Sequence, residues 1–319
     1  MNDITEKRVY DDDAGVTEVF VAAGIGVVSV SISADRVGRF GVVRRCSPRD
    51  VAGGDGLLAV ATDEDVLVRD HRGPTSDDDA FASTAFGPAS AVGVRNGTVL
   101  AGDGDGRIVR RGGEGWADVG TIDASVVAID GPLLATDDGV YRVRGEGDDT
   151  AVEPAGLEAA NDVAARGPFA AADDGLYALG NGWMREVEGR FGAVAATSRE
   201  HAHAAVLPED TDDARQHSDG AFYERHDGGW RAVDLPVEGP IADVAEGERP
   251  YALTIEGTLL IGPEWRSRSL GVDDIVGIAV AIVLLLFGSG DIRVRSAGSH
   301  VPLSTRLKRR ARRWFRDRK

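Results

Sequence analysis

One unit recurs along this chain: a short apolar strand, a tight turn rich in Asp and Gly, and a second apolar strand. The copies fall at residues 21–28, 59–67, 100–108, 134–141, 170–177, 218–222 and 253–259. Their turn residues Gly26, Asp65, Gly106, Gly139, Gly175, Gly220 and Gly257 stand 39, 41, 33, 36, 45 and 37 residues apart. Two positions after each comes an apolar residue: Val28, Leu67, Ile108, Tyr141, Tyr177, Phe222 and Leu259. Gly and Asp suit a tight hairpin because they accept positive φ at little cost. A repeat of this kind restricts the fold more than any composition figure, because each copy buries its surface only against its neighbours.

Two further strands complete the unit. Upstream lies a strand of small apolar residues: Asp50-Val51-Ala52, Ala91-Val92-Gly93, Val126-Val127-Ala128, Asp162-Val163-Ala164, Ala193-Val194-Ala195 and Asp243-Val244-Ala245. Small side chains fit a crowded position near a central axis. Downstream, Trp116, Trp183, Trp230 and Trp265 each follow the turn residue by 8 to 10 positions, while copies one, two and four lack the Trp. Four strands in a period of 33–45 residues is the period of a β-propeller blade. A β-sandwich competes, but gives no reason for Trp and turn Gly to recur in phase. The expected fold is therefore all-β, a β-propeller.

The first hairpin has no good inner strand before it, since Lys7-Arg8-Val9-Tyr10 is a poor match. Residues 273–281 do match, and donating them to the first hairpin closes a seven-bladed ring without exposed edges. Seven blades is the preferred count. Eight is the runner-up, because residues 284–295 resemble another hairpin, with Gly290 lying 33 positions after Gly257. The uncharged run Ile275 to Phe287 also reads as a membrane span, but it has 13 residues where a bilayer core needs about 20. The expected division is a propeller over 1–281 and a basic tail over 282–319.

Charge follows that division. The chain carries −17 overall, with 36 Asp, 17 Glu, 33 Arg and only 3 Lys. Residues 282–319 hold 11 basic and 2 acidic residues, a net +9, which leaves −26 on residues 1–281. An acidic, Lys-poor surface stays hydrated in concentrated salt, although GC-rich codon usage gives a similar bias. An acidic body also argues against nucleic acid as its partner. In the tail, Lys308, Arg309, Arg310, Arg312, Arg313 and Trp314 belong to a basic segment with Leu307, Ala311, Trp314 and Phe315 at helical spacing. Such a helix binds anionic membrane surfaces or nucleic-acid backbones, and a solvated tail is the plain alternative. The single cysteine, Cys46, and the polar start of the chain fit a cytoplasmic protein.

Chemistry is sparse. There is no G-x-S-x-G, Walker loop, C-x-x-C or H-E-x-x-H motif. His201, His203 and His217 cluster around the longest insertion, and the spacing of His201 and His203 puts both on one strand face, the weak candidates for a metal site. No metal and no cofactor is expected. The Asp/Gly run 102–106 reads as a turn, because a calcium loop needs further spaced ligands. Gly139, Gly175, Gly257 and the four tryptophans are structural markers of the repeat.

Glu6-Lys7-Arg8-Val9-Tyr10, and the stretch from Asp50-Val51-Ala52 through Ala61-Thr62-Asp63-Glu64-Asp65-Val66-Leu67, resemble an uncharacterised family of haloarchaeal β-propeller proteins. The similarity runs from residue 6 to about 281. The resemblance implies a propeller and carries no catalytic residue, because the family has no assigned activity. The expected function is a monomeric binding or scaffold propeller with a protein partner. A hydrolase or lyase with His and Asp converging at the channel mouth is one alternative, and a peripheral membrane adaptor using the tail is another.

Overall fold

The computed structural model describes residues 16–71, 81–112, 115–207 and 222–281. Blade 1 contributes β1 (Val16–Ala23), β2 (Gly26–Ser33) and β3 (Arg36–Arg44). Blade 2 is β4 (Pro48–Gly54), β5 (Leu57–Thr62), β6 (Val66–Asp70) and β7 (Ala82–Ser83), and blade 3 is β8 (Ala91–Arg95), β9 (Thr98–Gly102), β10 (Arg107–Gly112) and β11 (Gly115–Thr121). Blade 4 is β12 (Val126–Asp130), β13 (Leu133–Thr136), β14 (Gly139–Arg144) and β15 (Ala151–Gly156), and blade 5 is β16 (Asp162–Ala164), β17 (Phe169–Ala172), β18 (Gly175–Leu179) and β19 (Trp183–Glu188). Blade 6 is β20 (Phe191–Ala196), β21 (Ala202–Val206), β22 (Phe222–His226) and β23 (Gly229–Val233), and blade 7 is β24 (Ile241–Glu246), β25 (Pro250–Thr254), β26 (Thr258–Ile261) and β27 (Arg266–Ser269). The last described strand, β28 (Gly277–Ala281), returns to blade 1 and pairs antiparallel with β1, Val19 opposite Val280 and Val21 opposite Ile278.

That pairing fixes the blade number at seven. Each sheet has four strands, and blade 1 runs β28-β1-β2-β3. The inner strands touch in a closed cycle, with β28 between β24 and β4, so no gap is left for an eighth blade. The hairpin anticipated at 284–295 lies outside the described residues. The membrane-span reading fails over its first half, because Gly277–Ala281 is a fully buried inner strand of the ring. Among the described residues no helix is long and apolar enough to cross a membrane.

The core is a ring of seven apolar clusters, one at each junction between blades. Leu253 and Leu259 of blade 7 pack against Val21, Val28 and Ile278 of blade 1. Phe169 and Leu176 of blade 5 pack against Phe191 and Val194 of blade 6. Both faces of each blade are thus covered, which explains why β5, β13 and β17 are buried at every position rather than at alternate ones. Each large side chain buried in this way stabilises the ring by about 1.5–3 kcal/mol.

The repeat glycine has a reason other than the hairpin turn itself. In blades 1 and 4 the two turn residues are followed by Gly26 and Gly139, which open β2 and β14, and the positive φ falls on these glycines (+121° and +109°). A Cβ on Gly26 would overlap the carbonyl oxygen of Arg44, at the far end of outer strand β3. The glycine therefore lets the chain leaving the outer strand cross close over the start of the third strand. Gly175 stands at the same place with ordinary φ, where a Cβ would press on Arg185 and on the Val187 carbonyl, 2.8 Å away. Gly220 and the blade 6 connection around it lie outside the described residues.

Blade 2 has Asp65 at this position. Its carboxylate reaches the crossing segment directly and accepts hydrogen bonds from the N–H groups of Thr84 and Ala85 (both 2.9 Å) and Phe86 (2.8 Å), and from the Ser83 hydroxyl. Burial alone would raise its pKa. The hydrogen bonds from Ser83, Ala85, Phe86 and Val66 outweigh that and hold the group well below the usual carboxylate range.

Candidate functional site

The inner strands carry three aspartates close to their starts: Asp50 on β4, Asp162 on β16 and Asp243 on β24. Each does the same thing. One carboxylate oxygen accepts the N–H of the next residue in its own strand, and the other accepts an N–H from the inner strand of the following blade. Asp50 joins Val51 (2.7 Å) to Val92 (2.8 Å), Asp162 joins Val163 (2.8 Å) to Val194 (2.7 Å), and Asp243 joins Val244 (2.7 Å) to Ile278 (2.8 Å). The last link fastens the closing strand. Near the other end of its inner strand, Asp130 accepts the N–H of Ala165 (2.7 Å) and ties blade 4 to blade 5.

Enclosure by the surrounding strands sets the electrostatics of these groups. Burial raises Asp50 to about 7 and Asp243 to about 6, against the opposing pull of their backbone hydrogen bonds. Burial also raises Asp162 well above its ordinary value, and the like charge of Asp243 adds to the effect. The ring of carboxylates at the axis is thus a set of staples whose oxygens are occupied by backbone donors. Among the described residues no group of three or more His, Cys, Asp or Glu is placed to hold a metal ion. The signal for the staples was legible, since Asp-Val-Ala recurs three times at the inner-strand position.

His201 and His203 do not meet. His203 lies on β21, buried between blades 6 and 7, with Nδ1 hydrogen-bonded to Glu246 and its ring stacked on Phe222 (centroids 5.5 Å). His201 precedes that strand, exposed, with its ring 5.7 Å from His226. His217 and the tail residues Lys308, Arg309, Arg310, Arg312, Arg313 and Trp314 lie outside the described residues. The tryptophans tie outer strands to the blade before. Trp116 Nε1 donates to the Thr84 carbonyl (3.2 Å), Trp183 Nε1 to the Ala155 carbonyl (2.9 Å), and Trp230 Nε1 to Glu186 (2.8 Å). Trp265 sits in the turn before β27 rather than in the strand, buried at the edge of Phe222 and His203. Cys46 is half-buried beside the core between blades 1 and 2, and burial raises its thiol pKa.

Two surface features were not singled out in the sequence. The outer strand of blade 1, β3, has nine residues, and all but Val37 are exposed, including Phe40, Val42 and Val43 (39%, 39% and 43%). Three of the other outer strands are shielded in ways that edges commonly are. β7 has two residues, β15 contains Pro154, and β27 is Arg266-Ser267-Arg268-Ser269. The second feature is a depression of about 550 Å³ on the face that carries the turns after the inner strands, spanning blades 3 to 5. Arg95, Arg142 and Arg144 line it together with Pro132, Leu133 and Pro168.

Residues 3–281 match the HVO_0234-like beta-propeller family. The chain belongs to that family. The family is named after a haloarchaeal protein, in line with the resemblance carried by residues 6 to 281. No curated protein sequence matches the chain. Among solved structures it is similar to the WD40 β-propeller domain of Doa1, at 12% identity and a TM-score of 0.54, covering 81% of this chain and 89% of that one. It is also similar to the WD40 repeats of RRP9, at 12% identity and a TM-score of 0.51, covering 83% and 94%. The computationally designed Ika8 protein matches at 13% identity and a TM-score of 0.51, covering 82% and 90%. At these identities the likeness is one of fold alone. It shows the propeller fold and assigns no ligand.

Proposed function

We propose that this propeller is a non-enzymatic binding module that takes an extended segment of a protein partner along the outer edge of β3. The carrying observation is that edge: nine residues long, exposed, with Phe40, Val42 and Val43 facing solvent. An unpaired strand edge offers a row of backbone donors and acceptors to an added strand, and alternate side chains read the partner's sequence. Arg36, Arg39 and Arg44 stand along the strand, Arg45 follows it, and all four are exposed. An extended segment with apolar and acidic residues fits this surface.

The rival enzyme reading calls for His201, His203 and an Asp to converge at the axis. Instead His203 is engaged with Glu246 between blades and His201 lies exposed beside His226, which supports binding over catalysis. The deciding experiment is affinity capture from native lysate in concentrated salt, comparing the wild type with Phe40→Asp/Val42→Asp. A partner held by the wild type and lost by the variant, with unchanged melting temperature, supports the reading. A partner held equally by both, or turnover of a screened substrate class that is abolished by His203→Ala, would sink it.

A further inference from the structure

We infer that the arginine-lined depression across blades 3 to 5 is a binding site for a compact multivalent oxyanion, a small molecule bearing phosphate or several carboxylates. The charge of its walls is the opposite of the protein's. Residues 1–281 hold 25 basic and 51 acidic residues, yet the lining includes Arg95, Arg142 and Arg144 and no carboxylate. Chance placement on so acidic a body would put acids in the wall before it put three cations there.

Topology brings these arginines together. Arg142 and Arg144 are two apart on β14, so both side chains leave the same face of the strand, about 7 Å apart along it. Val143 between them faces the other way, into the core shared with blade 3. Arg95 ends β8 and is held by a hydrogen bond from its Nη2 to the Gly145 carbonyl (3.1 Å), which sets its guanidinium at the rim without neutralising it. Among the described residues the Arg142 side chain has no ion-pair or hydrogen-bond partner. Arg144 pairs with Glu153 at 2.6 Å, but both side chains are more than half exposed, and such a surface pair is worth little and exchanges readily for a better anion.

The rest of the lining suits a ligand as well. Pro132 and Pro168 fix the turns after β12 and β16, and their carbonyls are taken up by the N–H groups of Val143 (2.8 Å) and Leu179 (3.0 Å). Leu133 and Ala165 add apolar surface, and the volume of about 550 Å³ lies within the range of small-molecule sites. Planar guanidinium forks bind phosphate and carboxylate oxygens two at a time, so three of them select charge density rather than a single charge. Salt at about 1 M shortens the screening length to about 3 Å. Under those conditions the distant acidic surface no longer repels an anion, and the local arginines decide binding.

The test is calorimetric titration of the full chain with pyrophosphate and, separately, with citrate in about 1 M KCl. The expected result is saturable one-to-one binding of at least one of them. Arg142→Gln and Arg95→Gln, which lie on different blades, should each weaken it at least tenfold. Arg231→Gln, at an exposed pair with Glu224 on blade 6, should leave it unchanged. Should one variant fail to fold, the other still reads the site. Binding of pyrophosphate alone identifies a phosphate-bearing ligand, and binding of citrate alone a polycarboxylate. The inference is overturned by no saturable binding of either, by binding as tight as that of the wild type in Arg142→Gln and Arg95→Gln, or by an Asp-rich peptide that binds this face in preference to both.

Discussion

At the scale of single residues, two kinds of aspartate behave in opposite ways. Asp65 is rich in hydrogen bonds, and its pKa is held down. The axial aspartates have two backbone donors each, but their enclosure costs more than those donors return, so their pKa values rise. The sign of the pH dependence follows. A raised carboxylate contributes stability below its unfolded pKa and loses it as pH rises through the folded value. For Asp50 that window runs from about 4 to about 7. Asp50→Asn should flatten the fall in stability across this window. It should cost about 1–2 kcal/mol at pH 4, because the amide sets an NH2 against a backbone N–H that the hydroxyl oxygen of the neutral acid can still accept, and less at pH 8. Denaturant melts at several pH values check this, and an unchanged pH slope would contradict the staple account.

At the scale of elements, what distinguishes the strands is where each one ends. The chain leaving an outer strand must cross back over its own blade, and a repeat glycine makes room for it at Gly26, Gly139 and Gly175. In blade 2 the carboxylate of Asp65 grips the crossing segment after the two-residue strand β7. Asp65→Ala should leave several N–H groups without an acceptor and destabilise the protein by about 3 kcal/mol. The loss should be full above about pH 4 and shrink in acid, because a depressed carboxylate contributes stability only above its unfolded pKa. Hydrogen exchange should show the residues from Ser83 to Gly87 opening first. The position was legible as a phase marker, but its role was not, because Asp in a turn and Asp anchoring a distant strand look alike in sequence.

At the scale of the molecule, closure is the controlling event. The β28 strand adds a fourth strand to blade 1, completes the cluster shared with blade 7, and receives the Asp243 staple. Truncation after Ala281 should retain cooperative unfolding with a melting temperature within a few degrees of the full chain. Truncation after Asp273 should leave blade 1 short of its inner strand and abolish the single transition. Calorimetry of the two proteins checks this, and a cooperative melt of the shorter one would show that the ring does not depend on its closing strand.

The sequence alone determined the propeller, its period and the closing strand, because blade strands are local and repeat in phase, so that Asp-Val-Ala, the turn residue and the Trp each mark one place. It also placed the acidic charge on the propeller. Only the tertiary structure decided what the marked residues do. Asp50, Asp162 and Asp243 become staples because each meets a donor from the next blade, 32 to 42 residues away in sequence. His201 and His203 part because one precedes its strand and the other enters a junction between blades. The exposed edge of β3 and the three arginines over blades 3 to 5 likewise depend on contacts between units, and a repeat read copy by copy does not record its neighbours.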